Sequence, residues 1–146
     1  MICALIAPVC RGEMIAPLNT PLLMSAIFGV LLTNHCPSGF DLKTQGRTGL
    51  PVYAMDGGYV SRVVVSPWGF GRAIYINHPS GLTTVYGHLK SFAPFIDEIV
   101  RRLQYEQEDF AIDCEFAEGE IPVGQGDLIG YSGNAGSSGG PHLHLD

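Results

Sequence analysis

Two histidines separated by a single residue, His142 and His144, stand close to the end of the 146-residue chain. Alternate residues of a β-strand face the same side of a sheet, so both imidazoles would project together, with their roots ~7 Å apart. One imidazole can bind zinc while its neighbour takes a proton from an attacking water. The same pattern also occurs on plain solvent-facing strands. The pair therefore predicts a metal centre only if other groups join it.

Two further side chains suit such a centre, Asp41 and His88. A carboxylate and neutral imidazoles together are a typical zinc ligand set, in which an open position is left for water. We therefore interpret Asp41 and His144 as candidate zinc ligands, and His88 and His142 as candidate acid/base groups. The glycine-rich segment 133–140 precedes His142 and would let a substrate backbone approach closely, because glycine has no side chain.

The composition indicates one turn-rich β domain. The chain has 19 glycines, 10 prolines and only 15% charged residues. Its net charge of −6 offers no basic stripe for phosphates, which argues against a general nucleic-acid binder. The four cysteines form no Cys-x-x-Cys pair and are interpreted as small buried residues. Apolar runs at 2–9 and 22–32 are shorter than the ~18 residues that span a bilayer, and no positively charged segment marks a secretion signal.

Short β-branched and aromatic runs between turn signals predict the strands that must hold these side chains. They lie at 51–54, 59–65, 72–78, 82–88, 110–116 and within 121–130. Asp56-Gly57 has the chemistry of a hairpin turn between the first two runs. Apolar residues with a 3.6-residue period predict one helix over Pro94–Gln107, inserted against the sheet. The predicted fold class is mainly β, an antiparallel sandwich or open barrel with one short inserted helix.

Several motifs, in their order and spacing, resemble the lysostaphin-type, LytM-like zinc endopeptidases. They are the segments 44–54 (TQGRTGLPVYA), 56–60 (DGGYV), 86–89 (YGHL), 126–130 (GDLIG) and 133–144 (GNAGSSGGPHLH). The resemblance begins near Pro17. We therefore expect an N-terminal segment at 1–16 and a LytM-like domain at 17–146. Because the chain stops directly after its histidine motif, we also expect that this domain is truncated at its C-terminus.

The resemblance implies the activity as well as the fold, which in this family is of the duplicated-hybrid-motif type. Members cut peptide stems or cross-bridges of bacterial peptidoglycan and use one zinc ion. Carried over by position, Asp41 and His144 correspond to zinc ligands, and His88 and His142 correspond to catalytic histidines. The implied partners are peptidoglycan peptides, with no nucleic acid and no membrane span. The implied location is the bacterial cell envelope, the periplasm or the medium.

The chain departs from the family pattern at one position. The family has its first zinc ligand as a histidine four residues before the aspartate, and this chain has Pro37 there, which offers no donor atom. His35 or Cys36 could supply a donor only after a local rearrangement. In an extended segment Cys36 faces the other side and His35 is displaced by ~6.5 Å. The alternative function is therefore a catalytically impaired LytM-like module that binds cell wall or a partner.

Three other motifs carry little weight. Gly69-Phe70-Gly71 is followed by a strand rather than a helix, so it is not a dinucleotide loop. The glycine run at 133–140 lacks the Gly-Lys-Ser/Thr ending of a phosphate loop. A biotinyl or lipoyl carrier domain would need a lysine at the hairpin tip, and segment 54–57 has none.

Overall fold

The computed structural model of the chain describes residues 13–19 and 40–146. Ten strands and one helix lie within these ranges. They are β1 (Phe40–Lys43), β2 (Pro51–Tyr53), β3 (Gly58–Val65), β4 (Arg72–Asn77), β5 (Thr83–Gly87), β6 (Ser91–Phe92), α1 (Pro94–Gln107), β7 (Ile112–Glu115), β8 (Pro122–Val123), β9 (Leu128–Tyr131) and β10 (His142–Leu145). Pro37, His35, three of the cysteines (Cys3, Cys10, Cys36) and both N-terminal apolar runs lie outside the described residues, so the expectations about them stay predictions.

The strands form two antiparallel sheets over one apolar core. The larger sheet has the order β1-β10-β5-β4-β3-β7, with β8 also pairing with β3, and the smaller sheet has the order β2-β9-β6. Both sheets contribute fully buried residues to the same core, among them Val52 of β2, Ile74 of β4 and Ile129 of β9. The predicted mainly antiparallel β fold is confirmed, with one helix in the described part of the chain.

Strand β10 shows how the sequence fixes the direction of the two histidines. Leu143 and Leu145 are 0% and 3% exposed, whereas His142 and His144 point to the opposite, more accessible face. Burying each leucine contributes about 1.5–3 kcal/mol. A one-residue slip would exchange both leucines for histidines, so the register is strongly determined. The strand is also paired on both sides, with β1 and with β5.

Helix α1 has the bounds that its periodicity predicts. Pro94 occupies the first turn, where its fixed φ suits a helix and its missing N–H removes no helical bond. The helix ends at Glu108 in the left-handed conformation, with φ 51°. Its buried face presents Ile96 and Val100, and it contacts β6 and β7. In the described part of the chain, no helix is long and apolar enough to cross a membrane.

The hairpin predicted at Asp56-Gly57 is wrong. Strand β2 pairs with β9, whereas β3 pairs with β4, β7 and β8, so this turn carries the chain from one sheet to the other. The turn chemistry itself is present, since the Gly57 N–H donates to the Asp56 carboxylate at 2.8 Å. Turn residues determine only the local bend. The partner of each strand is determined by burial, and Val52 and Val60 are both completely buried.

Candidate metal centre

The sheet register brings three of the four candidate residues onto one face. Strand β10 lies between β1 and β5, with Asp41 opposite His144 and His144 opposite Gly87. Residues directly opposite in an antiparallel pair face the same side. His142 lies two residues earlier in β10 and therefore shares that side. Two imidazoles on β10, which is paired on both sides, and a carboxylate on β1, at the end of the described strand order, are thus positioned by hydrogen-bonded strands.

The three side chains converge at their donor atoms. His144 Nδ1 lies 2.8 Å from Asp41 Oδ1, and His142 Nε2 lies 3.4 Å from the same oxygen. One potential ligand atom from each residue lies within 4.8 Å of the others. The Asp41 side chain is 63% exposed and each imidazole 18% exposed, so the cluster opens to solvent on the carboxylate side. One oxygen and two nitrogens suit zinc.

His88 reaches the same place from the end of β5. Its backbone is left-handed, with φ 58°, and its N–H donates to the Phe70 carbonyl at 2.8 Å. Its ring Nδ1 lies 2.7 Å from the Ala135 carbonyl, which can only accept, so Nδ1 carries the proton and Nε2 the lone pair. The ring lies beside His142, with centroids 4.6 Å apart.

His142 is held in the same tautomer. Its Nδ1 lies 2.8 Å from the Gly140 carbonyl and 3.2 Å from the Ser138 hydroxyl. With Nδ1 donating to the carbonyl, the lone pair of Nε2 is directed toward the Asp41 carboxylate. Two acceptors 3.4 Å apart repel each other unless a cation or a proton lies near them, and here His144 Nδ1 can supply that proton. A metal ion in place of the proton would face the same oxygen and two nitrogens, which lie within 4.8 Å of one another.

The electrostatics separate the roles of the groups. The hydrogen bond from His144 lowers the pKa of Asp41, against a smaller opposing effect of burial. Asp41 is therefore ionised at neutral pH. Burial lowers the pKa of His88, so that imidazole is neutral at neutral pH and free to accept a proton.

Two loops complete the site. The β3–β4 turn (66–71) and the loop 133–140 pack backbone to backbone, and the Ser137 N–H donates to the Gly69 carbonyl at 2.8 Å. An added Cβ on Gly136 would lie 2.3 Å from the Gly71 nitrogen. These loops and the four candidate side chains line a cavity of about 670 Å³. The glycine-rich segment thus has a packing role at Gly136, which the sequence analysis did not predict.

All four predicted site residues meet at this cavity. What the sequence missed are the groups that hold them: Phe70, the Ala135 carbonyl and Ser138. Phe70 lies in the Gly-Phe-Gly segment, which the sequence analysis rejected as a dinucleotide loop. Its two flanking glycines have φ values of 59° and 66°, which signals a tight turn but gives no indication of its distant partners.

Comparison with known proteins agrees with this architecture. Residues 36–104 match Peptidase family M23, a range that includes Asp41 and His88. The DD-carboxypeptidase/endopeptidase Mpg of Neisseria meningitidis serogroup B is 32% identical over 78 residues. Those residues are 53% of this chain and 13% of that protein, so the chain spans only a small part of the curated relatives it matches.

Two solved structures share the fold. The catalytic domain of the antimicrobial peptidase lysostaphin from Staphylococcus simulans is 21% identical with a TM-score of 0.50, over 92% of this chain and 75% of that one. A mutant catalytic domain of the prophage-encoded M23 protein EnpA from Enterococcus faecalis is 24% identical with a TM-score of 0.51, over 78% and 68%. The fold and the family match are similar to those of a metallopeptidase domain. Residues 36–104 are 69 of the 146 residues, and through this partial match the chain resembles Peptidase family M23, the lysostaphin-type, LytM-like metallopeptidases.

Proposed function

We propose that the chain is a zinc-dependent endopeptidase that hydrolyses peptide bonds of bacterial peptidoglycan. The observation that carries the proposal is the convergence of one carboxylate and three imidazoles on a single open cavity. The match of residues 36–104 to Peptidase family M23 supports it, as does the name of the relative from Neisseria meningitidis, a DD-carboxypeptidase/endopeptidase. Such a substrate implies that the protein acts in the cell envelope, in the periplasm or after secretion.

In this proposal Asp41 and His144 hold the metal. Asp41 is ionised, and its Oδ1 lies beside His144 Nδ1, so the two atoms can face one cation. Zinc would supply Lewis-acid polarisation of the scissile carbonyl and would lower the pKa of water toward 7. Before His144 Nδ1 could hold a metal, a proton on it would have to move to Nε2, because a ligating nitrogen must be deprotonated.

His88 and His142 are the proposed acid/base pair. Each donates its Nδ1 proton to a backbone carbonyl, which leaves both Nε2 atoms available. His88, with its lowered pKa, is suited to accept a proton at neutral pH. Once protonated, an imidazole in this pair would donate a hydrogen bond to the developing oxyanion, and it could later return the proton to the leaving amine.

The open side of the cavity suits an extended peptide. Gly139 lines the cavity, and an added Cβ on Gly139 or Gly140 would meet nothing within 4 Å. A substrate backbone can therefore lie directly against this part of the loop. Among the described residues that line the cavity, Asp41 is the one acidic group.

The second candidate function is a LytM-like module that binds cell wall or a partner without cleaving it. The observation that favours it is Pro37, at the position of the family's first zinc ligand. Losing a ligand is expected to weaken metal binding more than the ~10- to 100-fold that is typical of changes behind the ligands. Zinc binding separates the two functions, because only the peptidase requires a stoichiometric metal.

The test is zinc content per chain after exhaustive dialysis against a weak chelator, followed by hydrolysis of peptidoglycan peptides. The proposal expects close to one zinc per chain and a new amine terminus in the products. Asp41→Asn should abolish both. Asp113→Asn is the matched control, because Asp113 is also exposed and bound to a basic side chain, at 2.6 Å from Arg62. Zinc-free protein that still binds wall fragments would support the non-catalytic module and exclude the peptidase.

A further inference from the structure

Phe70 touches two of the imidazoles from the turn between β3 and β4. Its ring stacks on that of His144, with centroids 4.7 Å apart and planes 25° apart. The same ring meets His88 edge-on, at 5.8 Å and 80°. Gly87 makes room for this arrangement, since an added Cβ there would lie 3.2 Å from Phe70 Cδ1 and 3.3 Å from His144 Cβ. The sequence thus leaves an aromatic ring against one face of His144.

The hydrogen bonds of the three histidines differ in a way that gives this contact a role. His88 and His142 are each anchored at Nδ1 by a backbone carbonyl. His144 uses Nδ1 toward Asp41, and within the described residues no protein group bonds its Nε2. Metal-binding histidines are usually oriented by a hydrogen bond at the nitrogen that does not bind the metal. Once Nδ1 faces a metal, no hydrogen bond within the described residues orients the His144 ring, and the stacking on Phe70 is the contact that fixes its plane.

We propose that Phe70 is a positioning residue that takes the place of that hydrogen bond and holds the His144 imidazole in its metal-binding orientation. The inference rests on the proposed function insofar as His144 binds the metal. The stacking itself is a property of the metal-free chain. A flat ring is essential to the role, because an aliphatic side chain of similar volume can fill the space without constraining the plane of the imidazole.

The experiment compares zinc affinity in three variants by competition with a chromophoric chelator. Phe70→Leu keeps the apolar volume but removes the flat ring, and is expected to bind zinc about 10-fold more weakly, as for other changes behind a metal ligand. Phe70→Tyr keeps the ring and is expected to stay within about 2-fold of the parent protein. Phe110→Leu is the matched control, since Phe110 is 63% exposed and contacts Arg72 rather than the histidines.

A second readout keeps this test independent of the proposed function. In metal-free protein, the NMR order parameter of the His144 ring should fall in Phe70→Leu and hold in Phe70→Tyr. If the parent protein binds no zinc, the proposed function fails while this measurement still decides the role of Phe70. Equal ring order in all variants would overturn the proposal, as would equal losses in Leu and Tyr. Phe70→Ile replaces the Leu variant if that variant does not fold.

Discussion

Gly136 is the position where one added methyl group should test how the two site loops are joined. Its φ is +74°, and an added Cβ would lie 2.3 Å from the Gly71 nitrogen and 2.4 Å from the Gly69 carbonyl oxygen. Both contacts are with backbone, which cannot rotate away. In Gly136→Ala the left-handed conformation costs about 1–2 kcal/mol. Forcing the loops apart costs about 1–3 kcal/mol more. We expect a loss of about 2–5 kcal/mol in the free energy of unfolding.

The assay is equilibrium unfolding in urea, with Gly81→Ala as the matched control. Gly81 has a φ of +87°, yet an added Cβ would meet nothing within 4 Å. This variant carries the conformational cost alone, about 1–2 kcal/mol. The difference between the two variants therefore measures the backbone overlap. If Gly136→Ala is no less stable than Gly81→Ala, the loops are not locked together as the distances indicate, and the reasoning is refuted.

Three further predictions concern separate parts of the chain. Burial lowers the pKa of His88, so the neutral imidazole's contribution to the free energy of unfolding should be complete above about pH 6.5 and lost as the pH falls through the lowered pKa. The free energy of unfolding of the parent protein and of His88→Gln, measured against pH, should differ in this way. Tyr86→Phe removes the hydroxyl that accepts a hydrogen bond from the Met55 N–H at 2.9 Å, so this buried donor loses its partner. The free energy of unfolding, measured in urea, should fall by about 1–3 kcal/mol. Pro37→His restores the family's donor and should tighten zinc binding at least 10-fold in chelator competition; unchanged affinity would mean that other groups already complete the site.

The sequence predicted those strands and helices whose own pattern of apolar residues shows which side is buried. Alternation in His142–Leu145 fixes which side chains face the core, and the 3.6-residue period fixes Pro94–Gln107 to the residue. The sequence did not predict which strands pair when the partner strand lies far along the chain. The Asp56-Gly57 turn has the chemistry of a hairpin, but pairing depends on the burial of strands far along the chain. Local residues do not encode that choice.

In the candidate site, the side chains with possible chemical roles were predicted, and the groups that position them were not. Asp41, His88, His142 and His144 were predicted because few residue types can bind zinc or transfer protons, so type and motif order are informative. The groups that position them leave no such signal. A backbone carbonyl belongs to every residue, and nothing in the composition of loop 133–140 distinguishes the carbonyl of Ala135 from its neighbours as the acceptor for His88. These partners come only from the folded geometry.

Some residues of the candidate site are positioned by paired strands and others by the two loops, so a change in the loops should affect only part of the site. Asp41 and His144 lie opposite each other in paired strands, whereas His88 lies beyond the end of β5 and is held by the carbonyls of Phe70 and Ala135 in the two loops. The turn 66–71 is closed by its own hydrogen bond from the Ser66 N–H to the Gly71 carbonyl at 2.9 Å, so a clash between the loops should move loop 133–140 rather than this turn. Such a change should displace His88, the proposed proton acceptor, and leave Phe70 against His144 in the proposed ligand pair. Gly136→Ala should therefore lower kcat while zinc affinity stays close to that of the parent protein, and Asp41→Asn should abolish zinc binding without disturbing the loops. If both variants lose zinc equally, the loops and the strands form one unit, and the separate positioning of acid/base and metal groups is wrong.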